Sequence, residues 1–98
     1  MSVDEQQYRV GAIRGEEFDV KLESMPSSGA RWYHAPTPGE PQPLRHDAEP
    51  QTDEIGGAVA ERFTFSIDEP GKHELHFILK RVWESEPRQH ATVTVEVE

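Results

Sequence analysis

The sequence has no cysteine among its 98 residues. Disulfides, thiolate metal sites and a cysteine nucleophile are therefore excluded. Basic side chains are scarce: 10 Lys and Arg stand against 19 Asp and Glu, a formal net charge of −9. Nucleic acid is a poor partner for such a chain, because phosphate contacts need clustered positive charge. An anionic membrane surface is disfavoured on the same ground, and the excess charge favours solubility and a monomer. No stretch approaches the roughly 20 apolar residues that cross a bilayer. Met1 to Gln7 has neither the basic start nor the apolar run of a secretory leader, so the sequence as it stands predicts a cytoplasmic protein. No window carries an apolar repeat at helical spacing.

What is present is alternation with a period of two. Phe18, Val20 and Leu22 share one face against Glu17, Asp19, Lys21 and Glu23. Phe63, Phe65 and Ile67 repeat the pattern, as do Leu75, Phe77 and Leu79, with Ile78 breaking it. Val93, Val95 and Val97 form another such run, and Tyr8, Val10 and Ala12 a weaker one. Each run reads as a half-buried strand. Glu69-Pro70-Gly71-Lys72 has the residues a type II turn requires at its centre. Arg14-Gly15-Glu16 reads as a short hairpin connection. Five of the eight prolines fall between His34 and Asp53, a density no central strand tolerates. That region is expected to be a surface crossover with at most one edge strand, near Leu44. The whole, residues 1–98, predicts one all-β domain, an immunoglobulin-like antiparallel β-sandwich with Trp32 in its core. Folding a chain of this size removes roughly 60–70% of its surface from water. Two packed layers result, with little room for an enclosed active site.

Candidate catalytic groups are poorly placed. His73 and His76 are three apart on one strand and point to opposite faces. His34, His46 and His90 are isolated in sequence and read as surface or rim residues, so no metal or other cofactor is expected. Asp53-Glu54 and Asp68-Glu69 sit beside Gly or Pro and read as solvated turn charges. Ser27 and Ser28 lack the G-x-S-x-G setting of a nucleophile elbow. Catalysis is not supported, and no enzyme is expected.

Three short segments between strands remain: Met25-Pro26-Ser27-Ser28-Gly29 with Trp32 beyond it, Glu54-Ile55-Gly56-Gly57, and Arg81-Val82-Trp83. Proline fixes its own φ and glycine tolerates φ > 0, so the first is a tight projecting loop. Trp83 has the numbering parity of the buried Leu75, Phe77 and Leu79. The polar run Glu84-Ser85-Glu86-Pro87 nevertheless ends the strand there, which predicts an exposed ring. Gly56-Gly57 alone is equally consistent with a plain hairpin turn.

Taken together, the three segments resemble the chagasin-type inhibitors of papain-like cysteine peptidases, peptidase inhibitor family I42. That family is marked by an Asn-Pro-Thr-Thr-Gly loop with a tryptophan three residues later, a Gly-x-Gly-Gly loop and an Arg-Pro-Trp loop. Order, separation and strand context agree from about Val10 to Val97. Met25 stands for the Asn, Ser27 and Ser28 for the two Thr, Glu54 for the first glycine of the second loop and Val82 for the proline of the third. Ser keeps the hydroxyl but loses a methyl group; Glu54 adds charge; Val82 loses a fixed φ yet is stiff, and is expected to be extended.

The resemblance implies a reversible inhibitor whose partner is a papain-like cysteine peptidase. The first loop would wedge into the cleft with Ser27, Ser28 and Gly29 nearest the catalytic thiol and Pro26 holding the turn. Glu54, Ile55, Gly56 and Gly57 would grip one side, and Arg81, Val82 and Trp83 the other, with Trp83 the main anchor. The alternative is an immunoglobulin-like binding module whose loops recognise a sugar, a peptide or a partner subunit.

Overall fold

The computed structural model describes residues 4–24, 29–50 and 59–98, which form seven strands and no helix. These are β1 (Asp4–Ala12), β2 (Glu17–Ser24), β3 (Ala30–His34), β4 (Arg45–Pro50), β5 (Val59–Ser66), β6 (Gly71–Arg81) and β7 (Gln89–Val97). Two sheets result, one of four strands in the order β1-β7-β6-β3 and one of three in the order β2-β5-β4.

The apolar face of each alternating run closes on the other sheet. From the three-stranded sheet come Val20, Leu22, Phe63 and Phe65, joined by Ile67 just past β5; from the four-stranded sheet come Trp32, Leu75, Phe77, Ala91, Val93, Val95 and Val97. The register places Val20 opposite Phe63 and Phe18 opposite Phe65, so paired side chains emerge on the same face. Phe63 and Phe77 meet across the sandwich with ring centres 4.8 Å apart. Trp32 is 2% exposed, at the heart of this layer as its sequence position predicts. The proline-rich crossover holds one edge strand, β4, beginning one residue after Leu44.

Three expectations need correction. β1 pairs with β7 in parallel, Tyr8 opposite Val93, so the larger sheet is mixed and not purely antiparallel. Arg14-Gly15-Glu16 is no hairpin, because β1 and β2 lie in different sheets. It is a corner in which Gly15, at φ 78°, donates its N–H to the Ile67 carbonyl. The hairpin reading used local turn chemistry alone, which cannot tell a turn within a sheet from a step between sheets.

The third correction concerns His34, whereas His46 and His90 are exposed as expected. His34 is nearly buried between Phe65 and Phe77, with ring centres 5.5 and 5.3 Å away. Its Nε2 lies 2.7 Å from the Glu40 carboxylate, which also accepts from the His76 main-chain N–H at 3.0 Å and meets His76 Nδ1. His46 stacks on Phe63, 4.1 Å between centres, and reaches Glu61. Isolation in sequence hides these partners because the crossover and β5 bring them from elsewhere. Burial by itself would raise the Glu40 carboxyl, but hydrogen bonds from His76, Thr37 and His34 outweigh it and hold the group below its ordinary range. Glu40 thereby clasps the crossover to β3 and β6.

Candidate functional site

Strand register brings the described flanks of the candidate segments to one end of the sandwich. In the smaller sheet Ser24 and Pro50 both lie opposite Val59, so β2 and β4 run out where β5 begins. In the larger sheet Ala30 lies opposite Arg81, and Leu79 opposite Gln89. The Trp32 indole N–H donates to the Glu23 carbonyl at 2.9 Å and ties these two ends together. The chain therefore enters and leaves 25–28 and 51–58 at the end that carries the β6–β7 connection. Met25, Pro26, Ser27, Ser28, Glu54, Ile55, Gly56 and Gly57 lie outside the described residues. Gly29, Arg81, Val82 and Trp83 lie within them.

The last strand residue, Arg81, starts a hydrogen-bonded turn. The Glu84 N–H donates to the Arg81 carbonyl at 3.0 Å, closing a four-residue bend with Val82 and Trp83 at its centre. Neither central residue has positive φ, so the bend is of type I. Val82 is thus a turn residue and not the extended one expected from its β-branching; the closing hydrogen bond overrides that preference. Both central side chains project, with Val82 74% and Trp83 71% exposed. The exposed ring follows the polar flank and not the strand parity, since the strand has ended. The Arg81 guanidinium lies over the Trp83 ring, 5.8 Å from its centre.

Gly29, the final residue of the first segment, meets this turn. It has φ 78°, a left-handed conformation that side chains rarely adopt. A Cβ added there would lie 3.1 Å from Trp83 Cη2 and 3.8 Å from Arg81 Cγ. Two segments separated by more than fifty residues of chain are therefore in contact, and that contact uses the absence of a side chain.

Beneath them lies a buried carboxylate that sequence reading did not single out. Glu61 is fully buried, accepting from the Trp32 main-chain N–H at 2.6 Å and from Arg31 Nη2 at 3.1 Å, with His46 Nε2 at 3.1 Å. It joins β5 to β3 and β4 just below the segment ends. Its signal was available: Glu61 continues the inward parity of Phe63 and Phe65. Among the described residues, no group of three or more His, Asp or Glu could hold a metal ion.

The sequence model described as "Chagasin family peptidase inhibitor I42" matches residues 12–97. No curated protein matches the chain. Among solved structures, the cysteine protease inhibitor EhICP2 from Entamoeba histolytica superposes with a TM-score of 0.70 at 13% identity, covering 98% of this chain and 96% of its own. PbICP-C, solved in complex with falcipain-2, gives 0.69 at 15% identity, with 98% and 91% covered. Amebosin gives 0.59 at 15% identity over the full length of both chains. At these identities the structural likeness shows a shared fold.

Proposed function

The chain belongs to the chagasin family of peptidase inhibitors, I42, and we propose that it inhibits papain-like cysteine peptidases by occluding the active-site cleft. One observation carries the reading: an exposed tryptophan on a closed turn, packed against the glycine that ends the first segment. Exposed aromatic side chains are the usual energetic anchors of protein interfaces, and Trp83 is held in place before any partner arrives. Preformed loops lose little conformational freedom on docking, which favours tight binding.

In this reading Met25-Pro26-Ser27-Ser28-Gly29 enters the cleft and covers the catalytic thiol without presenting an aligned scissile peptide. Glu54-Ile55-Gly56-Gly57 and Arg81-Val82-Trp83 hold the two walls. A domain of this size can cover the roughly 1,600 Å² that protease–inhibitor pairs bury. The complex of PbICP-C with falcipain-2 supports a peptidase partner for this fold. The family is one of inhibitors, which agrees with the poor placement of catalytic groups in the sequence.

Titration of papain with the protein, read as residual hydrolysis of a fluorogenic peptide, tests the proposal. Inhibition that saturates at one inhibitor per active site, and that weakens on Trp83→Ala, is expected. Full activity of papain and of related peptidases at micromolar protein would overturn it.

A further inference from the structure

The β6–β7 connection holds a second carboxylate clasp, built on Glu84. Its Oε1 accepts the Arg81 main-chain N–H at 2.9 Å and the Arg88 Nε–H at 3.1 Å. Its own N–H closes the type I turn on the Arg81 carbonyl, and its carbonyl accepts Lys80 Nζ at 3.2 Å. The Arg88 N–H returns to the Leu79 carbonyl at 2.6 Å, where pairing between β6 and β7 resumes. One side chain therefore ties the first residue of the bend to the strand that leaves it, with Val82 and Trp83 held between.

The clasp matters because of what the bend lacks. A type I turn favours proline in its first central position, where φ is then fixed. Here the position is Val82, a residue that prefers extended backbone. Contacts from Trp83 to Gly29 and to the Arg81 guanidinium hold the ring but do not hold the backbone beneath it. That task falls to Glu84.

We propose that Glu84 is a positioning residue, whose carboxylate fixes the Arg81–Val82–Trp83 turn so that Trp83 is presented to the peptidase in one orientation. The proposal rests on the occlusion reading above. As a carboxylate, Glu84 makes charge-assisted hydrogen bonds with Arg81 and Arg88, stronger than those of the neutral acid. The Arg81 main-chain N–H, followed by the Arg88 side chain, holds its carboxyl below the ordinary range, so the clasp persists into mild acid.

The two tryptophans make this measurable. Trp32 is buried and Trp83 exposed, so acrylamide quenching of fluorescence in the free protein reports chiefly on Trp83. Glu84→Ala is expected to raise the quenching constant by about half and to weaken inhibition of papain by about tenfold or more, the loss typical of an anchor set loose. Its thermal unfolding midpoint should stay close to that of the parent. Glu84→Gln keeps an acceptor oxygen for both donors and should recover most of the loss, to within about threefold. Unchanged quenching in Glu84→Ala overturns the proposal, and weaker inhibition with unchanged quenching would make Glu84 a contact residue instead. Should the parent protein leave papain fully active, the occlusion reading falls, while quenching still decides whether Glu84 fixes the ring.

Discussion

Trp83 rests on Gly29, so closely that a methyl group on the glycine would meet the indole at 3.1 Å. The contact joins the end of the first segment to the tip of the third. Its geometry depends on a backbone conformation, φ 78°, that glycine adopts without cost.

Gly29→Ala should therefore act twice, through strain in the left-handed backbone, about 1–2 kcal/mol, and by displacing the ring. We expect the urea midpoint to fall by an amount consistent with that strain. Inhibition of papain should weaken by more than the stability loss, because the ring is displaced even in fully folded molecules. Equal inhibition by variant and parent would show that the contact does not position Trp83.

Glu61 is buried with Trp32 N–H, Arg31 and His46 as its partners. Glu61→Ala leaves the buried Trp32 N–H without its acceptor, a cost of about 1–3 kcal/mol, while Arg31 and His46 are open enough to be solvated. In a domain whose total stability is of order 5–15 kcal/mol, that is a sizeable fraction. Chemical denaturation should show a midpoint below that of the parent, whereas a shift equivalent to less than about 1 kcal/mol would contradict the role.

Glu40 predicts a pH dependence. Its carboxyl titrates below its ordinary 4.5 in the folded protein, so the unfolded chain takes up the proton first as acid is added. The stabilisation is complete above that ordinary value and is lost as pH falls through the lower folded-state one. Unfolding midpoints measured between neutral pH and about pH 3 should decline at the acid end. Glu40→Gln should be less stable at neutral pH and should decline less steeply; parallel curves would refute the assignment.

Trp32→Phe keeps an aromatic ring in the core but removes the donor to the Glu23 carbonyl. The expected cost is about 1–3 kcal/mol, from a carbonyl left unsatisfied and from lost packing. Hydrogen exchange should quicken at the ends of β2 and β3 more than in β7. Uniform acceleration across both sheets would mean that the bond does not join these ends.

Alternation with a period of two was enough to read a β-sandwich core, because a strand with one buried face must place its apolar residues at every second position. Phe63, Phe65, Leu75, Phe77 and the valines of β7 all follow from it. The edge strand within the proline-rich crossover was legible for a related reason, since proline is tolerated where no ladder donor is needed. The three segments, in order, carried the resemblance to the inhibitor family.

Partner identity was not legible. Nothing local to β1 says that it pairs with β7 in parallel, or that Gly15 turns a corner between sheets. His34, His46, Glu40, Glu61 and Glu84 look like ordinary polar residues in the chain. Only the packed structure surrounds the first four with donors and rings drawn from distant positions, and the energy of a buried carboxylate depends on those surroundings; the partners of Glu84 are near in sequence, and only the turn brings Arg81 and Arg88 onto one oxygen. The residues themselves settled which faces turn inward; the meeting of Gly29 with Trp83 came from the pairing of β3 with β6 within one sheet, and the Glu61 cluster from how the two sheets were stacked.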